Sequence, residues 1–372
     1  MGNTCKLELK RLPSGDIVYL YSQSIVVVFW GKRRVLSTSV YNGGYREDLE
    51  AVFNQDGTSG PPAYRYEMLS DDYWMHLRLT AKQLGLDPNL VSGMSTAAQM
   101  ENVSIQTLSH NGVTVTAIVT GGIGNNGGRV GDPAEYDELV ETETKLGTIN
   151  IMLLFNVNLP AATMARALVT CTEAKTAALQ ELMAGSCYSS GIATGSGTDQ
   201  TMIVAVPDAS VTIEDVGKHS KYGEIIGKVV KAAVKEALGK QYPYLTVKNQ
   251  HDALARLKRY NITEDSIWQV FAEKYTDKSE PVDREIFVKQ LRRLAKIPEI
   301  VTTTALYVHL YDELEWGLLD YSEVREAGEE LLNELAYKYA VSQEIPQNTN
   351  GKLLGEMESL LALIVRESIC AR

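Results

Sequence analysis

Between Gly112 and Val206 the chain passes repeatedly from strand-like alternation into glycine-rich stretches that no regular element can hold. This pattern constrains the fold more than any other feature. Val113, Val115, Ala117 and Val119 alternate with Thr114, Thr116 and Thr120, the period of a half-buried strand. Gly121, Gly122, Gly124, Gly127, Gly128 and Gly131 then crowd into one run. Glycines this dense let the backbone take φ > 0 and let another group approach the main chain. Thr148–Asn156 reads as a second strand, rich in Ile and Leu, and Pro160 suits the first turn of a helix. Met164, Ala167, Leu168, Cys171, Ala174, Ala178 and Leu182 share one helical face, and Gly185 supplies a stop. A helix docked on a sheet is the expectation.

The flanks extend this picture. DIVYLYS, SIVVVFW and RVLSTSV within Asp16–Val40 read as consecutive strands, separated by Gln23 and by Gly31-Lys32. GTSGPP (Gly57–Pro62) is a loop, and Asp71–Leu84 a helix closing at Gly85, with His76 packed among Trp74, Met75 and Leu77. Asn102–His110 and Gly112–Thr120 pair through a two-residue turn at Asn111-Gly112, which puts His110 at the turn. A helix follows Ser220, with Ile225, Ile226, Val229, Val230, Ala233, Val234, Ala237 and Leu238 on its apolar face and Gly239 and Pro243 ending it. Beyond Tyr244 strand alternation gives out. Helices are expected over 252–260, 264–275, 282–296, 299–317, 321–341 and 352–372, punctuated by Pro281, Pro298 and Gly317, with Ile345–Gly351 as a connection. A chain of 372 residues favours two domains. The fold expected is α+β, a mixed sheet flanked by helices over residues 1–243, followed by an all-α domain over 244–372.

Charge and composition narrow the function. A net charge of −11 argues against binding nucleic-acid backbones. The apolar run Ile25–Trp30 is far too short to span a membrane, and Lys6, Lys10 and Arg11 precede no signal-type core, so a cytoplasmic protein is expected. MGNTCK begins like a myristoylation site but has Lys6 where Ser or Thr is needed. Cys5, Cys171, Cys187 and Cys370 lack metal or CxxC spacing. They are expected as reduced thiols, with Cys171 and Cys187 buried. The five histidines are scattered and no HExxH occurs, so no protein-bound metal is expected.

Six separated motifs between about Gly31 and Gly239 carry a resemblance. They are LSTSVYNGGY (Leu36–Tyr45), VSGMSTAAQMENV (Val91–Val103), the NNGGRVGDP loop, EAKTAAL (Glu173–Leu179), GSGTDQT and GKHSKYGEIIG (Gly217–Gly227). In this order they resemble the adenosylcobinamide amidohydrolases, the CbiZ family of corrinoid salvage. The resemblance implies hydrolysis of the amide joining aminopropanol to the corrin ring, giving adenosylcobyric acid. It also implies a small-molecule corrinoid partner, and no cofactor beyond the cobalt that the substrate itself carries. A homo-oligomer is left open. The helical segment resembles the helical domain of the phosphatidylglycerophosphatase A family through ITEDSIWQVF, FVKQLRRLAKIPEI and GKLLGEMESLLALIV. Where that family has paired acidic residues, this chain has Glu356, Glu358 and Ser359, so an accessory domain is expected rather than a second active site.

Amide hydrolysis requires a nucleophile, donors for the oxyanion and a proton for the leaving amine. Gly122–Gly127 fits G-x-G-x-x-G, but GRVGDP follows in place of a helix and no GK[ST] occurs, so nucleotide binding is disfavoured. Gly122, Gly124 and Gly128 are read instead as supplying main-chain N–H groups to the corrinoid. Asn125, Asn126, Arg129 and Asp132 either bind it or shape the turn. GTINIMLLFNVNLPAATMARAL resembles the nucleophile-bearing half of the self-cleaving aminopeptidases related to ornithine acetyltransferase, which puts Gly147-Thr148 on the processing and nucleophile site. Read on its own chemistry, Thr148 is equally a β-branched strand starter, and for self-cleavage that reading is slightly favoured. His219, crowded by Lys218, Ser220 and Lys221, is the alternative base, either for Thr148 or for a water. Asp199 is placed to orient a histidine or hold the aminopropanol hydroxyl, and Lys218 to bind substrate. A non-catalytic corrinoid-binding protein is the rival reading.

Overall fold

The computed structural model describes residues 6–58, 67–134, 137, 139, 147–275, 282–341 and 353–370. The chain divides into two compact units, Met1–Thr246 and Val247–Arg372. In chain order the first holds β1 (Leu7–Arg11), β2 (Ile17–Tyr21), β3 (Ser24–Val28), β4 (Arg34–Ser37), β5 (Gly44–Arg46), β6 (Ala51–Asp56), α1 (Tyr73–Gln83) and β7 (Val91–Thr96). It continues with β8 (Ser104–His110), β9 (Val113–Gly121), β10 (Gly127–Gly128), β11 (Ile149–Phe155), α2 (Ala161–Glu181), β12 (Gly195–Ser196), β13 (Gln200–Ala205) and α3 (Lys221–Gln241).

Among the described residues, the strands form one sheet in the order β1-β2-β3-β6-β7 and another in the order β5-β4-β13-β11-β9-β8. β10 and β12 make a separate short ribbon. Both large sheets are mixed, since β6 runs parallel to β7 and β11 parallel to β13 while the other pairs are antiparallel. The β2–β3 and β8–β9 hairpins close through two-residue turns, of which Asn111-Gly112 is the dipeptide suited to the conformation required. Ser22-Gln23 and Asn111-Gly112 take positive φ throughout, the conformation that matches the twist of the strands they join.

Side-chain parity divides the unit into layers. In β9 and β11, Val113, Val115, Ala117, Val119, Ile149, Ile151, Leu153 and Phe155 face α2 and α3 and build the largest core cluster. Their alternates Ile118, Met152 and Leu154 face the other sheet, where Val27, Val52, Met94, Met202 and Val204 join them. Tyr21, Val26, Ala51 and Phe53 pack α1 through Leu77 and Ala81 on the outer side. The order is helix, sheet, sheet, helix, so β9 and β11 are buried on both faces. Each such aliphatic side chain contributes roughly 1.5–3 kcal/mol by leaving water.

Two helix ends differ from the sequence expectation. Leu182 caps α2 and Met183 takes the left-handed conformation at φ 50°, so the helix stops before Gly185. α3 runs through Gly239 to Gln241, and close packing accounts for the glycine there, since a Cβ would lie 3.0 Å from Thr246 Cγ2. Ser220 caps α3 by accepting the Gly223 N–H at 3.0 Å. Cys171 is buried, its thiol pushed up to about 12 by desolvation, whereas Cys187 is exposed in the loop after α2.

The second unit is helical: α4 (Ala253–Leu257), α5 (Glu264–Lys274), α6 (Arg284–Leu294), α7 (Pro298–Glu315), α8 (Tyr321–Lys338) and α9 (Leu354–Cys370). The expected connection at Ile345–Gly351, Pro281 and part of the Gly57–Pro62 loop lie outside the described residues. α9 is buried along most of its length, and its Glu356 and Ser359 face inward near Tyr307 and Tyr275. No described helix is long and apolar enough to cross a membrane. An α+β unit followed by an all-α unit is the observed fold class.

Leu245 is buried against the core of the first unit and Tyr242 packs on it. A chain ending at Thr246 is therefore expected to unfold cooperatively in denaturant. One ending at Gln241 should lose about 2–4 kcal/mol, the cost of a cavity where Leu245 and Tyr242 sat. Equal stability of the two would show that the boundary lies earlier.

Candidate active site

The layer between the sheets is apolar through Met94, Ile118, Met152, Leu154, Met202 and Val204, and then turns polar at one end. Strand parity continues the β11 series Leu154–Met152 into Asn150 and Thr148, and the β6 series from Val52 into Asn54 and Asp56. Thr96 on β7, Thr120 on β9 and Gln200 on β13 continue their own series in the same way. Asn54, Asp56, Thr96, Thr120, Thr148 and Asn150 are all buried.

Hydrogen bonds make this end specific. Asn150 Nδ2 donates to Asn54 Oδ1 at 2.7 Å and reaches the Ser95 carbonyl at 3.2 Å, while Asn54 Nδ2 donates to Thr120 Oγ1 at 2.7 Å. Thr148 Oγ1 lies 3.1 Å from Asn150 Oδ1 and 2.7 Å from the Thr198 carbonyl. Tyr73, on the first turn of α1, accepts the Ser95 N–H at 3.3 Å and Gln200 Nε2 at 3.4 Å. Burial pushes the Asp56 carboxyl above its ordinary value, against two hydrogen bonds from Thr58, at 2.8 Å from the amide and 2.7 Å from the hydroxyl.

Two loops frame the end. Gly147 is at φ +142°, and a Cβ there would lie 3.0 Å from both Asn126 Cβ and the Gly122 carbonyl. Its own carbonyl accepts Asn126 Nδ2 at 3.0 Å and Thr198 Oγ1 at 2.8 Å. Asp199 fastens these pieces together. It accepts the Ile149 N–H at 2.8 Å, the Ser196 N–H at 3.0 Å and the Ser196 hydroxyl at 2.6 Å, and it pairs with Lys175 of α2. Both members of that pair are about one-tenth exposed.

The predicted residues separate accordingly. Thr148, Asn126 and Asp199 come together at the polar end; Asp199 meets a lysine there rather than a histidine. His219 does not join them. Tyr222, just beyond it in α3, lies against His110 at the end of β8, which pairs with Val113 at the start of β9, whereas Gly122, just past the other end of β9, donates to the Thr148 carbonyl at 2.9 Å. Roughly 25 Å of strand separates those ends, so His219 cannot activate Thr148 in this arrangement. Lys218 sits beside His219, in an exposed ion pair with Glu173.

The glycine loop is used differently from the expectation. Gly122, Gly124 and Gly127 N–H donate to the Thr148 carbonyl, the Tyr242 hydroxyl and the Ile123 carbonyl, so these donors hold the loop itself. Of the run, Gly131 alone has positive φ; a Cβ at Gly127 would lie 2.8 Å from the Ile123 carbonyl, and one at Gly128 3.3 Å from Tyr188. Close packing explains those two glycines. Asn126 is buried, with Tyr188 donating to its Oδ1 at 2.9 Å; Asn125 and Arg129 are exposed; and Asp132 takes the Ser186 hydroxyl at 2.6 Å. Asn54, Asp56, Thr120, Asn150 and Lys175 were not singled out from the sequence. The available signal was polar residues on the inward parity of otherwise apolar strands.

Residues 10–245, which contain all of this geometry, match the family described as adenosylcobinamide amidohydrolase, CbiZ. The chain belongs to the adenosylcobinamide amidohydrolase family. It is 33% identical over 233 residues to the uncharacterized protein MJ1613 of Methanocaldococcus jannaschii, an alignment covering 59% of this chain and 87% of that one. A solved structure, the PH0078 protein from Pyrococcus horikoshii OT3, aligns with 63% of this chain and 83% of its own at 12% identity and a TM-score of 0.29, too low to bear on the arrangement here.

In this amidohydrolase family member the Lys175–Asp199 pair should be tested by Lys175→Met. Removing one partner of a largely buried pair costs on the order of 3 kcal/mol, read as a lower denaturation midpoint. Gly147→Ala should cost about 1–3 kcal/mol through its backbone conformation alone. Stabilities matching wild type would remove both features from the account of how the site is held.

Proposed function

We propose that the chain hydrolyses adenosylcobinamide to adenosylcobyric acid and aminopropanol at the polar end of the inter-sheet layer, with Thr148 as nucleophile. The observation that carries this reading is that the family match spans the unit in which Thr148 joins the Asn150–Asn54–Thr120 chain. Thr148 Oγ bonds to the amide carbon, the C–N bond breaks, and aminopropanol leaves with the proton that Thr148 gave up. Water then cleaves the ester, releasing adenosylcobyric acid and restoring the hydroxyl. Asp199 acts as a positioning residue, because it fixes the first amide of β11 next to Thr148. The cobalt is part of the substrate.

Purified protein incubated with adenosylcobinamide should release aminopropanol. Thr148→Ala should lower turnover by on the order of 10³-fold or more while corrinoid binding persists, and Thr148→Ser should keep part of the activity. Corrinoid binding without any release by wild type would instead identify a non-catalytic binding protein. Full activity in Thr148→Ala would reassign the nucleophile to water.

A second reading concerns the peptide before Thr148. The Gly147 carbonyl already accepts two side-chain donors on a strained residue, the arrangement that would stabilise an oxyanion if Thr148 attacked its own preceding carbonyl. Cleavage there would free the Thr148 α-amine as a base and split the chain into two fragments on a denaturing gel. A single full-length band in active protein excludes it.

A further inference from the structure

The proposed reaction leaves one role unfilled: a group must take the Thr148 proton and pass it to the departing amine. His219 lies at the far end of the strand layer. The Asp199 oxygens already serve Lys175, Ile149 and Ser196. Among the described residues of the inward-facing strand positions at the polar end, Asp56 is the carboxylate.

Its placement follows from register. Asn54 of β6 and Asn150 of β11 meet across the sheets at 2.7 Å. Asp56 lies one pleat beyond Asn54, and Thr148 one pleat beyond Asn150, each about 6.6 Å along its strand. Both steps lead the same way. Thr96, which pairs with Asp56, precedes Ala98, and Ala98 lies beside Gly122, whose N–H donates to the Thr148 carbonyl. Asp56 and Thr148 therefore face the same polar end from opposite sheets. Asp56 is buried, it accepts from Thr58, and Glu101, of like sign, bears on it. Burial keeps its proton affinity above that of an ordinary carboxylate, the direction that favours a group both taking and returning a proton.

We infer that Asp56 is the general base and acid of the hydrolysis. The inference rests on the amide-hydrolase reading with Thr148 as nucleophile. Asp56 carboxylate takes the Thr148 hydroxyl proton as Oγ bonds to the amide carbon, and the resulting acid gives that proton to the nitrogen as the C–N bond breaks. In the second half it takes a proton from water as the water oxygen attacks the ester, and returns it to Thr148 Oγ. No other reactant is needed.

The test is the pH profile of kcat/KM for adenosylcobinamide hydrolysis by wild type, Asp56→Asn and Asp56→Glu, with corrinoid affinity and Tm measured alongside. Asn keeps an acceptor for Thr58 and removes the titration. It should lower kcat by about 10²–10⁴-fold, leave corrinoid affinity within about threefold, and abolish the acidic limb of the wild-type profile. Glu should retain partial activity and the limb. Because the folded-state pKa of Asp56 lies above its unfolded value, the carboxylate costs stability once pH exceeds that unfolded value, near 3.9. Asp56→Asn should thus melt at or above the wild-type Tm at pH 7, which a purely structural carboxylate would not do. Wild-type-like kcat in Asp56→Asn, or an unchanged limb in active protein, overturns the assignment. Should Asn fail to fold, a missing limb in Asp56→Glu does the same. Wild-type protein that releases no aminopropanol defeats the amide-hydrolase reading itself, a result distinct from either.

Discussion

The hydrogen bond between Asn54 and Asn150 is the contact on which the rest of the site depends. It joins the two sheets where their shared layer stops being apolar. Every neighbour of functional interest is reached from it, through Asn150 to Thr148, through Asn54 to Thr120, and one pleat outward to Asp56. A buried amide left without its partner costs about 1–3 kcal/mol, more than a satisfied one contributes. The pair therefore selects one register between the sheets, and a shift of either strand by one residue would bring Ile149 or Phe53 to the position now held by an asparagine.

Around that contact the loops act as a mould. Asp199 gathers a strand amide, a loop hydroxyl and a helix lysine at one carboxylate, so that β11, β12 and α2 share a fixed point. Gly147 then turns at a φ that disfavours side-chain-bearing residues, and Asn126 and Thr198 hold its carbonyl. What results is a hydroxyl of fixed position at the polar end of the layer that Asp56 faces from the other sheet. That is the minimum an amide hydrolase needs before substrate supplies the scissile bond.

Much of this was legible from residue order. Period-two alternation located β9 and β11, Asn111-Gly112 located their hairpin partner, and the apolar stripes of α2 and α3 were read residue by residue. The six motifs named the family that the profile match then established. What escaped was contact between segments distant in sequence. Nothing local in AVFNQD says that Asn54 meets Asn150, and nothing in GKHSKYG says that α3 starts at the wrong end of the layer for His219 to reach Thr148. The dense glycines were ambiguous in the sequence because close packing and ligand approach demand the same residue. Only coordinates separate a Gly128 pressed against Tyr188 from one that admits a substrate.

The central claim is where the amide is cut, and a structure with adenosylcobinamide bound to a slow variant such as Thr148→Ser tests it most directly. The account predicts the amide carbon of the aminopropanol arm within about 3–3.5 Å of the residue 148 oxygen, the range of a near-attack geometry, with the Asp56 carboxyl facing the same bond. An arm seated instead beside Lys218 and His219, at the other end of the strand layer, would contradict it.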